Sequence, residues 1–133
     1  MTNRCPCACV FCLRHNKDHV FNSDSLWLER EPTVKEICDS IDAWDLGKYE
    51  ELVFCGYGEP TERLDDLLQV AAYVKSRGNT KIRINTNGLA DLICGVCKRN
   101  TDRSLSRRLV KLDHRVCVFV YGIVCISSVI KPL

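Results

Sequence analysis

A regular alternation of helix and strand patterns between residues 33 and 93 constrains the fold more than any other feature. Thr33 and Glu36 form a T-x-x-E capping box, and apolar residues then recur at helical spacing: Val34, Ile37, Ile41 and Trp44. Gly47 suits the end of this helix. A strand, a second helix and a second strand follow with short connections, a pattern typical of βαβ units and a parallel sheet. The predicted fold class is therefore α/β.

Two polar loops follow the predicted strands directly. Residues 51–55, ELVFC, read as a short buried strand that leads into GYGEP, and residues 81–86, KIRINT, alternate as a strand that leads into NG. A helical pattern that ends near Gly78 separates the two strands. The TNR of residues 2–4 reads as the end of an earlier strand. Because the carboxyl ends of parallel strands share one edge of a sheet, we expect these three segments to lie together.

Four cysteines stand within residues 5–12, CPCACVFC. Cys5, Cys9 and Cys12 have the spacing C-x3-C-x2-C, and three thiolates on such a loop can bind three irons of a [4Fe–4S] cube. The fourth iron would then keep an open position, and an open position on a metal is a site for chemistry. Cys7 is either a bystander thiol or a replacement for Cys5 in an alternative C-x-C-x2-C set.

Zinc is the alternative use of these cysteines. A structural zinc site takes four ligands, commonly from two C-x2-C pairs, and Cys94 and Cys97 would supply the second pair. This alternative makes the protein a zinc-binding interaction module in which residues 5–12 join Cys94 and Cys97. Anaerobic purification distinguishes the two interpretations. Bound iron and sulfide would support the cluster, and stoichiometric zinc would support the zinc module.

The cysteine motif and the two later loops together resemble the radical S-adenosylmethionine (SAM) superfamily. Four stretches within residues 2–93 are similar to one subfamily, the TatD-associated radical SAM proteins: TNRCPCACVFCLRHN, DSLWLEREPT, FCGYGEPT and IRINTNGLADL. The resemblance implies an incomplete parallel (β/α) partial barrel. It also implies a [4Fe–4S] cluster whose open iron binds SAM, with reductive cleavage of SAM to a 5′-deoxyadenosyl radical. The substrate does not follow, and the electron donor would be flavodoxin-like or ferredoxin-like.

The resemblance also implies roles for individual residues. Cys5, Cys9 and Cys12 would be the cluster ligands. The segment that matches the family's GGEP motif would contact SAM, as would the two asparagines after the next strand: Gly56, Gly58, Glu59, Pro60, Asn85 and Asn87. Glycines allow close approach of backbone to a ligand, and amides suit ribose hydroxyls or a carboxylate. Arg14, just after the cysteines, is expected in a solvated loop. Catalytic residues beyond these stay unassigned.

The chain's composition predicts a cytoplasmic protein. Residues 116–130 are uncharged but shorter than the roughly 18–20 residues of a membrane-spanning helix, and the first residues lack the pattern of a secretory signal. In a reducing compartment, clustered cysteines bind metal more often than they form disulfides.

The tail of the chain is basic. Residues 94–133 hold 8 Lys and Arg against 2 Asp and Glu. They contain no recognisable nucleic-acid motif, so binding of nucleic acid is not expected.

The composition changes most sharply between residues 93 and 94. We therefore divide the chain into residues 1–93, the leading part of a radical SAM core, and residues 94–133, a divergent basic and apolar tail in which residues 116–130 are one or two strands. The absence of further helix–strand alternation suggests a truncated barrel, and a shifted reading frame would explain the tail. A barrel lacking units exposes sheet edges, so low stability of the isolated chain and an inactive fragment are both expected outcomes.

Overall fold

The computed structural model describes residues 1–10, 12, 14 and 27–89, together with the backbone of residues 116–120. Two helices, α1 (Val34–Asp42) and α2 (Leu64–Arg77), alternate with the strands β1 (Glu51–Phe54) and β2 (Lys81–Thr86), and a third strand is β3 (Val116–Val120). The strands form one parallel sheet in the order β1-β2-β3. The predicted α/β class and the parallel sheet are confirmed.

The capping box at the start of α1 is present as predicted. Thr33 Oγ1 accepts the backbone N–H of Glu36 at 3.3 Å, and the Glu36 carboxylate accepts the N–H of Thr33 at 2.8 Å. A hydrogen-bonded ion pair with Arg30, followed by the Thr33 contacts, lowers the pKa of Glu36 to about 2. The helix ends at Asp42, before Trp44, because the chain turns there and a short 3-10 turn containing Gly47 follows.

Helix α2 packs on one face of the sheet. Its buried side chains meet alternate residues of β1 and β2, and together they form the core: Phe54, Leu67, Val70, Ala71, Val74, Ile82 and Ile84. Acidic residues lie in the first turn of α2 and basic residues in its last turn, which complements the helix dipole. In the described part of the chain no helix has the length and apolar character needed to cross a membrane.

The sheet register sets the position of the functional loops. Phe54 of β1 lies beside Ile84 of β2, and Thr86 at the end of β2 lies beside Val120 of β3. The loop after β1 and the turn after β2 therefore leave the same edge of the sheet. The strand predicted in the tail is confirmed for residues 116–120. Cys94 and Cys97 lie outside the described residues.

Candidate functional site

A buried carboxylate joins the two loops at the strand ends. Glu59 follows β1 and is only 3% exposed. Its Oε1 accepts the backbone N–H of Thr61 at 3.1 Å and the hydroxyls of Thr61 and Thr86 at 2.6 Å each, while Oε2 accepts the N–H of Asn87 at 2.6 Å. Burial of a charged group is tolerated when such hydrogen bonds replace water. Glu59 thus bonds the GYGEP segment to the end of β2.

The start of the cysteine loop packs against the same segment. The backbone N–H of Glu59 donates to the carbonyl of Arg4 at 2.8 Å. Beside it, a Cβ added at Gly58 would lie 2.1 Å from the carbonyl oxygen of Thr2 and 2.9 Å from that of Arg4. Only glycine allows the two backbones to approach this closely. The three segments that the sequence places at one edge therefore do meet there, although residues 2–4 are not part of a strand.

Residues 27–32 hold the cysteine loop from its other side. The Asn3 amide donates to the carbonyl of Leu28 at 2.7 Å and accepts its N–H at 3.0 Å, so one side chain satisfies both backbone groups. Arg4 forms a two-pronged ion pair with Glu31, and Thr2 donates a hydroxyl to the same carboxylate. The hydrogen bond from Thr2, followed by that from Arg4, lowers the pKa of Glu31. These contacts fix the position of residues 2–4, from which the cysteine loop begins.

The four thiols of residues 5–12 are partly exposed. The Asn87 side-chain amide donates to Cys7 Sγ at 3.4 Å and to Cys5 Sγ at 3.8 Å. Burial, and then the neighbouring Cys5 and Cys9, raise the pKa of the Cys7 thiol. A backbone hydrogen bond of 3.0 Å from Cys12 to Cys9 closes the turn between those two residues.

The donor set fits an iron–sulfur cluster in its chemistry. Thiolates are the ligands of such clusters, and an N–H donor already faces two of the sulfurs. Within the described residues no three His, Cys, Asp or Glu side chains are placed to hold a single metal ion. A cube does not require that arrangement, because each of its cysteines binds a separate iron. Cys94 and Cys97, the other half of the zinc alternative, lie outside the described part of the chain.

Arg14 bonds to the cysteine loop, contrary to the expectation of a solvated position. Its guanidinium donates to the backbone carbonyls of Asn3 at 3.3 Å, Cys5 at 3.5 Å and Cys7 at 3.1 Å. A rigid fork of N–H donors suits several carbonyls at once. The contact fixes the path of the loop through alternate residues.

Arg14→Ala is expected to lower the iron and sulfide bound per chain after anaerobic reconstitution. Loss of these hydrogen bonds should destabilise the loop by about 1–2 kcal/mol. Arg14→Lys should restore binding only in part, because one ammonium cannot replace the planar fork. Arg77→Ala, an exposed arginine at the end of α2, is the matched control and should bind iron like the wild type. Equal iron content in all four proteins would contradict this role.

The remaining predicted site residues lie on the same edge. Gly56 has a φ of 151°, a conformation that other residues rarely adopt, and Pro60 is buried as the first residue of a 3-10 turn. Asn85 is half-buried on β2, and the alternation of the strand puts it on the face opposite Thr86. Sequence reasoning missed Thr61 and Thr86. The threonine that ends the β2 alternation was the one available hint.

An open cavity of about 510 Å³ borders the cysteine loop on the side of Trp27. Its lining combines polar, charged and aromatic side chains: Asn3, Arg4, Cys5, Pro6, Arg14, Trp27 and Glu62. Trp27 is 54% exposed, and the centroid of its ring lies 6.2 Å from that of the buried Tyr57. Arg4 pairs with Glu31, and Arg14 donates to carbonyls of the cysteine loop. Both arginines of the cavity wall therefore stabilise the cysteine loop.

Comparison with protein-family models shows the family to which this chain belongs. The model of the Radical SAM superfamily matches residues 1–114, which is most of the chain, and the chain belongs to that superfamily. The match continues past the composition change between residues 93 and 94. Comparison with curated proteins found no match, and neither did comparison with solved structures.

Proposed function

We propose that this protein is a [4Fe–4S]-dependent radical SAM enzyme in which Cys5, Cys9 and Cys12 bind the cluster. The superfamily match supports the class of reaction. The observation that carries the proposal for this chain is the meeting of the cysteine loop, the GYGEP segment and the end of β2 at one edge of the sheet. The donors for cluster and SAM would thus come from three separate segments that are held in contact.

Different residues of the chain would bind the cluster and SAM. Bound between three thiolates, the cluster would supply one electron to the sulfonium of SAM, which cleaves to methionine and a 5′-deoxyadenosyl radical. The backbone at Gly56 and Pro60 would approach the cofactor closely, because an added Cβ at Gly56 meets nothing within 4 Å. Gly58 would contribute by packing this segment against the backbone of Thr2 and Arg4. Asn85, at the end of β2, would offer an amide donor and acceptor to the ribose or the carboxylate of SAM.

Glu59 would serve SAM mainly by holding this segment in place. Oε1 of Glu59 accepts three hydrogen bonds from the chain's own donors, and Oε2 accepts one. A carboxylate oxygen has about two lone-pair sites, so only Oε2 keeps one available. Because Glu59 is only 3% exposed, an ammonium group of SAM would reach this oxygen only after a rearrangement on binding.

The finer assignments belong to the same proposal. We infer a partial barrel that extends this parallel sheet, membership of the TatD-associated subfamily, a core of residues 1–93 followed by a tail of 94–133, and a cytoplasmic location. A flavodoxin-like or ferredoxin-like protein would donate the electron. The substrate stays open.

Metal analysis of cysteine variants tests the proposal. Full-length protein reconstituted anaerobically with iron and sulfide should turn brown, and with a strong reductant it should release 5′-deoxyadenosine from SAM. Replacing Cys5, Cys9 or Cys12 with serine should abolish both results, whereas Cys7→Ser should retain them. Cys38→Ser is the control, since Cys38 lies at the core away from the loop. A colourless protein with stoichiometric zinc would overturn the proposal.

The same variants decide between the two possible ligand sets. Loss of the cluster in Cys7→Ser with retention in Cys5→Ser would assign the alternative C-x-C-x2-C set. The close approach of the Asn87 amide to both sulfurs makes this comparison necessary.

A further inference from the structure

The orientation of the Asn87 side chain is determined by its neighbours. Its Oδ1 accepts the backbone N–H of Leu89 at 2.9 Å, and its own backbone N–H is bonded to the buried carboxylate of Glu59 at 2.6 Å. The acceptor end of the amide is therefore used within the turn. The donor end, Nδ2, is left to face the thiols of Cys5 and Cys7. This hydrogen-bond pattern assigns the two ends of the amide.

We propose that Asn87 is a positioning residue that donates an N–H···S hydrogen bond to the cluster ligand, which is Cys5 at 3.8 Å in the proposed set and Cys7 at 3.4 Å in the alternative set. This hydrogen bond raises the reduction potential of the cluster. The inference rests on the proposed function. Reduction adds negative charge to the cluster and its sulfurs, and a hydrogen-bond donor stabilises that added charge. Removal of the donor makes the cluster harder to reduce.

The buried contacts behind Asn87 make this donor rigid. Glu59 accepts the N–H of Asn87, and Thr86 Oγ1 donates to Glu59 at 2.6 Å while accepting the N–H of Gly88 at 3.2 Å. Both Glu59 and Thr86 are almost fully buried. The amide is held on a frame that does not depend on SAM. Its donor is committed to sulfur and its acceptor to Leu89, so Asn87 serves the cluster rather than the ribose or carboxylate of SAM.

A redox titration followed by electron paramagnetic resonance (EPR), without SAM, tests the assignment. Asn87→Ser removes the amide donor but keeps an oxygen that can accept the N–H of Leu89. The equilibrium constant for reduction should fall about tenfold, which for a one-electron couple is about 59 mV toward more negative potential. Asn87→Asp keeps the turn, adds a negative charge and should shift the potential in the same direction. Asn79→Ser, at an exposed asparagine, should leave the potential unchanged.

The outcomes separate this inference from the proposed function. Failure of the wild-type protein to bind a cluster contradicts both. A wild-type cluster whose potential is the same in Asn87→Ser and Asn87→Asp overturns the role of Asn87 alone, as does an unchanged potential with weakened SAM binding. Loss of the cluster from both folded variants would assign Asn87 to building the site and would also overturn the tuning role.

Discussion

Gly58→Ala is expected to separate the cysteine loop from the edge of the sheet and to destabilise the protein strongly. The new Cβ would lie 2.1 Å from the carbonyl oxygen of Thr2 and 2.7 Å from its carbonyl carbon. Both are backbone atoms, so no side chain can rotate away and one of the two segments must move. Overpacking of this kind typically costs about 1–3 kcal/mol, and we expect the upper end of that range.

Urea unfolding of matched glycine variants measures this effect. Gly78→Ala is the control, because an added Cβ there meets nothing within 4 Å. It should unfold within about 0.5 kcal/mol of the wild type. Gly58→Ala should unfold at lower urea and bind less iron after reconstitution. Wild-type stability together with full iron content in Gly58→Ala would show that the loop does not pack on this glycine.

Replacement of Glu59 is expected to destabilise the fold even when SAM is absent. In Glu59→Gln one carboxylate oxygen becomes an amide nitrogen, so a donor must face the N–H of Asn87 or the donors of Thr61 and Thr86. A buried donor left without an acceptor costs about 1–3 kcal/mol. Glu59→Ala leaves all four donors unpaired and should lower stability further.

Thermal unfolding of the cofactor-free protein checks this prediction. Glu50→Gln is the control, because Glu50 is exposed just before β1. If Glu59 acts mainly on SAM, Glu59→Gln will melt like the wild type and only its affinity for SAM will fall. A lower melting temperature before any cofactor is added supports the structural role described above.

Local patterns predicted most of the elements because each carries its own determinants. The box at Thr33 and Glu36 begins α1, and the helical pattern that ends near Gly78 matches α2. The alternation over residues 81–86 matches the burial of β2. The rule that parallel strands end at one edge predicted the meeting of the polar loops. The helical spacing of apolar residues continues to Trp44, but α1 ends at Asp42. Trp44 therefore lies beyond the helix and is 62% exposed.

Contacts between distant residues could not be predicted in the same way. Arg14 reaches carbonyls of the loop that precedes it, and Thr86 meets Glu59 across 27 positions of sequence. Nothing in the spacing of either residue indicates its partner. Cys55 was expected to be buried but is exposed, since β1 ends at Phe54 and the chain turns away at Gly56. Such contacts depend on the folded chain rather than on local periodicity.

In the proposed site, three thiolates from residues 5–12 hold a cube with one iron open to SAM. Low-temperature EPR of the reduced, anaerobically reconstituted full chain, recorded with and without SAM, tests it most directly. We expect a signal of a reduced [4Fe–4S] cluster whose g-values change when SAM is added. A chain that shows no such signal, or one whose signal is identical with SAM present, contradicts it.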